Sequence, residues 1–170
     1  MNDLCVRRVG RRLLVSIVVI TLLSGLFSPL ALAQAPSWPV YLEAEAGVLQ
    51  SPMAALEDPA ASACGYAASA IGNNGALILS FTLDAARTVY LWGRTRGVNY
   101  TSNSFFVSVN NAAEVAWDFP GSAGWQWNPM KDKATGRVLS YNLPAGTHTI
   151  RLRPRLGNSA IDVIGVTHSG

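Results

Sequence analysis

The chain has 170 residues, with 13 Lys and Arg against 10 Asp and Glu and a formal net charge of +3. Arg7, Arg8, Arg11 and Arg12 precede the first apolar run and are opposed only by Asp3, so the excess belongs to the N-terminus and the remainder is neutral. This excludes a basic face able to grip nucleic acid, and the length suits one good core rather than two ordinary domains.

The arginines lead into an apolar stretch, Leu13 to Phe27, and then into Ser28-Pro29-Leu30-Ala31-Leu32-Ala33. A positive segment, an apolar segment short of the roughly 20 residues of a bilayer span, and an A-x-A site read as a secretory signal peptide over residues 1–33. Cleavage after Ala33 sends the product out of the cytoplasm, secreted or periplasmic, with no membrane attachment once the signal is removed. Residues 34–39 contain Pro36 and Pro39 and read as a short tether to one domain over 40–170. Cys64 is the one cysteine of that domain. No Cys–His pattern accompanies it, so it reads as a small buried apolar residue.

Within the domain, Val40-Tyr41-Leu42-Glu43-Ala44-Glu45 comes first. Read as a strand, it points Glu43 and Glu45 the same way, about 6 to 7 Å apart. Two like charges that close call for a cation between them, and a hard ion such as Ca²⁺ suits oxygen ligands; the plain alternative is that both face solvent. Leu77, Leu79, Phe81 and Leu83 then alternate with more polar residues, as do Val89, Leu91 and Gly93, then Phe105, Val107 and Val109, then Ile150 and Leu152. That period of two predicts half-buried strands. Gly72-Asn73-Asn74-Gly75, Asn110-Asn111, Pro120-Gly121-Ser122 and Pro144-Ala145-Gly146 mark the turns between them. No segment shows a helical period, so the expected fold is an all-β, two-sheet antiparallel sandwich of the jelly-roll kind.

Trp117, Trp125 and Trp127 lie in a stretch rich in Gly, Asp, Asn and Pro, from Trp117 to Asp132, which reads as a loop. Aromatic rings in a loop are candidates for a stacking surface. One of Trp125 and Trp127 is expected to face solvent and the other to enter the core. In the closing strand, Asp162 stands among Ile161, Val163 and Ile164, where a carboxylate needs a partner. If the two ends of the chain pair, Glu43, Glu45 and Asp162 share one ion. A glycosidase acid and nucleophile would instead face each other across an open cleft, and no such pair stands out. No Gly-x-Ser-x-Gly elbow or phosphate-cradling loop occurs, and His148 and His168 lack metal-ligand spacing.

Taken in order, these pieces resemble carbohydrate-binding modules of families 6 and 35, which have a galactose-binding-like β-jelly roll. The resemblance rests on Tyr41-Leu42-Glu43-Ala44-Glu45, Cys64-Gly65-Tyr66, Gly75 to Phe81, Val89-Tyr90-Leu91-Trp92-Gly93-Arg94, Ser104 to Val109, Gly124-Trp125-Gln126-Trp127, Leu143 to Ile150 and Ile161-Asp162-Val163-Ile164. It implies a structural Ca²⁺ held by Glu43, Glu45 and Asp162, with backbone carbonyls near Cys64 and Gly65. It also implies a sugar site in the loops at one end, where Tyr66 and Trp125 fall at the aromatic positions. The family's Asn before the closing strand is replaced here by Ala160, and the nearest amide is Asn158.

Rings cover the C–H face of a pyranose and polar groups read its hydroxyl rim. Tyr66, Trp125 and Trp127 supply candidate rings; Arg96, Asn99, Asn103 and Asn158 supply candidate polar groups. Arg94 shares a strand face with Trp92 and reads as a structural partner. The expectation is a non-catalytic module that binds a neutral glycan, acting in trans beside secreted glycan-degrading enzymes. Its alternatives are an adhesion or structural sandwich that has lost the sugar site, and a small glycan-cleaving enzyme.

Overall fold

The computed structural model describes residues 38–168. The expected signal peptide, residues 1–33, and residues 34–37 of the tether lie outside the described residues. The described end of the tether is packed: Trp38 lies against the core, meets His168 edge-on at 4.8 Å between ring centroids, and has the Arg87 guanidinium 5.9 Å over its ring.

Twelve strands carry the fold. They are β1 (Val40–Glu43), β2 (Val48–Gln50), β3 (Ala54–Glu57), β4 (Gly65–Ala68), β5 (Ala76–Leu83), β6 (Arg87–Gly97), β7 (Ser104–Val109), β8 (Val115–Asp118), β9 (Ser122–Pro129), β10 (Ser140–Leu143), β11 (Gly146–Pro154) and β12 (Ala160–His168). The helical content of the described residues is two single 3₁₀ turns, Ala44–Ala46 and Ser62–Cys64. All pairings are antiparallel. One sheet has seven strands in the order β10-β6-β12-β4-β3, with β1 beside β12 and β9 beside β6; the other has five in the order β2-β5-β11-β7-β8. The expected all-β two-sheet sandwich is borne out.

Alternation is what builds the core. Leu77, Leu79, Phe81 and Leu83 from β5 meet Ile150 and Leu152 from β11, Phe105 and Val107 from β7, and Val89, Leu91, Ile161, Ile164 and Val166 from the larger sheet. Each such side chain contributes about 1.5–3 kcal/mol by leaving water. The expected loop from Trp117 to Asp132 is a correction. Trp117 ends up wholly buried in β8, stacked beside Phe105, and residues 122–129 form a strand along β6. Pairing with β6 supplies the hydrogen bonds that a segment carrying Gly124, Asn128 and Pro129 would not by itself predict. Cys64 is also corrected: it is half-buried at a positive φ of 61° rather than buried in the core.

The larger sheet has an outward face, and the register of its strands defines it. Tyr41 pairs with Gly165 and Gly165 with Trp92; Glu43 pairs with Val163, Val163 with Arg94, and Arg94 with Trp127. Between Ile161 and Val163 the register shifts, so Asp162 is an extra residue in a β-bulge. A bulge re-aims a side chain, and here it brings the Asp162 carboxylate to Arg94.

Candidate functional site

The outward face carries two adjoining features, an acidic corner and an aromatic strip. The corner begins where β1 ends. Glu43 is the last residue of the strand and Glu45 lies in the 3₁₀ turn that follows, so the two are not side by side on one strand as the sequence suggested. Glu43 Oε1 accepts a hydrogen bond from Ser62 Oγ at 2.8 Å. Asp162, with no exposed surface, accepts the Ser62 backbone N–H at 3.0 and 3.2 Å and is ion-paired with Arg94. Among the described residues, Glu43 Oε2 and Glu45 Oε2 are buried with no hydrogen-bond partner. Leaving such an oxygen bare costs about 1–3 kcal/mol, more when charged.

Burial pushes the Glu45 carboxyl above its ordinary pKa, and the charges of Glu43 and Asp162 add to the effect. Burial likewise raises Asp162, with the Ser62 N–H and Arg94 pulling the other way. Gly65 makes room for the corner, since a Cβ there would stand 2.6 Å from the Glu45 carboxyl carbon. Among the described residues no three His, Cys, Asp or Glu side chains converge as a ready metal shell. The residues that fit a hard cation are therefore the two glutamates with bare oxygens, with Asp162 held alongside by Arg94.

The strip starts beside the corner. Tyr41, 60% exposed, and Trp127, 44% exposed, lie 5.7 Å apart between ring centroids and tilted by 56°. With Glu43, Ser62, Arg94 and Val163 they line an open depression of about 510 Å³. Gly165 is buried against the same rings: a Cβ there would come within 3.3 Å of the Trp127 ring and 3.6 Å of the Tyr41 ring and the Trp92 Cβ. Beyond Arg94, rings and guanidiniums alternate. Arg94 lies 5.9 Å from the Trp125 ring centroid, Arg96 lies 4.6 Å from Trp125 and 5.0 Å from Tyr66, and the Tyr66 and Trp125 rings meet at 5.2 Å. Asp58 anchors this end by pairing with Arg96 and accepting the Trp125 indole N–H at 3.0 Å. The Ala60 backbone N–H on Asp58, helped by Trp125 and Arg96, holds its carboxyl below the usual range against the opposing effect of burial.

Of the sugar-site residues expected from the sequence, Tyr66, Trp125 and Arg96 come together. Trp127 is on the same sheet face but at the strip's other end. Trp125 and Trp127 do not split between core and solvent, because residues two apart in a strand share a face. The three asparagines stand apart. Asn99 closes its own turn by accepting hydrogen bonds from Thr101 and Ser102, Asn103 is buried and donates to the Phe119 carbonyl, and Asn158 is exposed in a left-handed turn. Arg94 has the structural pairing expected of it, and it also lines the depression. Sequence reasoning missed Tyr41, Trp92, Gly165 and Asp58 as site residues. Alternation from Glu43 and Arg94 would have found Tyr41 and Trp92; Asp58 had no local signal.

No protein family matches the chain in a family scan, and no curated protein is similar to it in sequence. Solved structures are similar in fold. The GH26-CBM35 β-(1,4)-mannanase of Podospora anserina superposes with a TM-score of 0.65 at 21% identity, covering 78% of this chain and 28% of that one. A family 35 carbohydrate-binding module from Clostridium thermocellum gives a TM-score of 0.60 at 22% identity, covering 75% and 98%. The C-terminal CBM6 of a marine laminarinase from Zobellia galactanivorans gives 0.58 at 14%, covering 76% and 98%. The chain thus has the jelly-roll fold of modules in families 6 and 35. It spans 28% of the mannanase but nearly all of the two isolated modules.

Proposed function

We propose that the chain is a secreted, non-catalytic module that binds a neutral glycan along the outward face of its larger sheet. The observation that carries this reading is the strip itself: Tyr41, Trp127 and Trp125 offer partly exposed rings, and Glu43, Ser62, Arg94 and Arg96 stand beside them as hydroxyl readers. The pairing of charges favours a neutral ligand, because Arg94 is matched by Asp162 and Arg96 by Asp58. The fold shared with modules of families 6 and 35 supports the carbohydrate class. Binding rather than cleavage is favoured because Glu43 is the one carboxylate lining the depression among the described residues. Glycosidic cleavage takes two.

The site at the Tyr66–Trp125 end, as expected from the sequence, departs from an open ring sandwich. The rings stand edge to face at 5.2 Å and Arg96 is packed against both, leaving no slot for a pyranose between them. This observation, with Ala160 in place of Asn, favours the second reading, a structural or adhesion sandwich. The open depression at Tyr41 and Trp127 favours glycan binding.

The acidic corner is proposed to hold a structural Ca²⁺. Two carboxylate oxygens buried without a partner fit a hard cation, with Glu43 and Glu45 as its first donors and Asp162 as the third. The ion would neutralise the corner and fix the turn at Ser62. Action in trans beside secreted glycan-degrading enzymes completes the proposal.

Affinity gel electrophoresis of the protein in galactomannan, β-1,3-galactan and laminarin tests the reading. Retardation in at least one gel, abolished by Trp127→Ala, is the expected result. Free migration in every neutral polysaccharide overturns glycan binding and leaves the structural sandwich.

A further inference from the structure

Asp58 lies outside the depression, yet it has two tasks divided between its oxygens. Oδ1 accepts the Ala60 backbone N–H at 2.9 Å and so fixes the carboxylate to its own loop. Oδ2 takes both the Trp125 indole N–H at 3.0 Å and Arg96 Nη1. The loop is itself fastened: Asp58 N–H donates to the Cys64 carbonyl at 3.1 Å, Ala61 N–H to the Asp58 carbonyl at 2.9 Å, and Ser62 N–H to Asp162. Further along, the Ala60 carbonyl receives Arg94 Nη2 at 3.2 Å. A rigidly mounted carboxylate thus sets the orientation of a ring and a guanidinium on two neighbouring strands.

Arg96 is held by one nitrogen only. Its Nε and Nη2 make no hydrogen bond to any described residue, and a guanidinium presents five N–H donors in a fixed planar fork. Packed against both the Tyr66 and Trp125 rings, the fork cannot rotate freely. We infer that Asp58 is the positioning residue of this end of the strip, holding Trp125 as a platform and aiming the unused Arg96 donors at two neighbouring hydroxyls of one sugar residue. The inference rests on the glycan-binding reading above and adds to it a residue and a mode of recognition. The Asp58–Arg96 pair is half-buried, with side chains 15% and 29% accessible.

The test uses the full protein and whichever of galactomannan, β-1,3-galactan or laminarin retards it. Asp58→Ala should weaken binding about tenfold or more, the effect of losing a charge-assisted contact. Its tryptophan emission should shift as the Trp125 indole loses its acceptor. Asp58→Asn, which keeps an acceptor for Trp125 but removes the charge facing Arg96, should weaken binding less. Because Asp58 acts through its neighbours, Asp58→Ala should cost nothing further in an Arg96→Ala, Trp125→Ala background. Wild-type affinity in Asp58→Ala, or a loss that adds in full to that background, overturns the inference. If Asp58→Ala does not fold, Asp58→Asn combined with Arg96→Ala decides: affinity equal to Arg96→Ala alone supports positioning and a further loss overturns it. Absence of wild-type retardation sinks the glycan reading and the inference together, whereas retardation with an unaffected Asp58→Ala sinks the inference alone.

Discussion

A methyl group on Gly165 would sit 3.3 Å from the Trp127 ring and 3.6 Å from both Tyr41 and Trp92, tight but within reach of a small shift. A branched side chain has no such freedom and would push the Tyr41 and Trp127 rings out of place. Gly165→Val should therefore abolish retardation in polysaccharide gels and also lower the melting temperature, since the added methyls are forced against buried packing. Gly165→Ala should bind with only a modest loss. If Gly165→Val binds as the wild type does, the placement of the Tyr41 and Trp127 rings is not what holds the ligand. This residue illustrates a limit of reading by sequence. Nothing near Gly165 in the chain signals a close approach, because the three rings above it come from β1, β6 and β9.

At the scale of elements, the parts that were legible are those with a strict period of two. The alternation in β5, β6, β7 and β11 identified those strands and their core residues, and the chain-end pairing that joins Glu43 to Asp162 was anticipated from one buried carboxylate. Strand β9 was not legible, because Gly124, Asn128 and the prolines around it mimic a loop and its strand character comes from pairing with β6. The turn at Ala44–Ala46 was hidden for the opposite reason, since Val40 to Glu45 reads as one continuous strand. That turn matters to the corner: it separates the two glutamates in direction and buries one bare oxygen of each. An ion that binds only the folded state stabilises it in proportion to ln(1 + [L]/Kd). With Ca²⁺ at about 100 times Kd, the melting temperature should rise by about 10 °C over chelator-treated protein. Glu43→Gln combined with Glu45→Gln should abolish that rise, and its persistence in the double variant would place the ion elsewhere.

Across the whole molecule, two sets of carboxylates answer oppositely to pH. Glu114 is held low by Arg153 and then Arg151, and Asp58 chiefly by the Ala60 N–H; at Asp118 burial is outweighed by Lys133, Ser104 and Arg155 acting together. For these three the folded pKa lies below the unfolded one. They stabilise the fold above the ordinary carboxylate range of about 4, and that stability is lost as pH falls through their depressed values. Glu45 and Asp162 are raised by burial, so the metal-free fold holds their protons more tightly than the unfolded chain does. Their favourable contribution is complete below the unfolded pKa and disappears as pH rises through the raised values, leaving buried charge at neutral pH. Chelated protein should accordingly be most stable at mildly acidic pH, with melting temperature falling on both sides. A cation at the corner exchanges the proton for a metal ligand, so added Ca²⁺ should lift the neutral limb selectively and move the optimum upward. Melting curves taken across pH 3 to 8 with and without chelator check this, and parallel curves displaced by a constant amount would show that the corner carboxylates are not coupled to the ion.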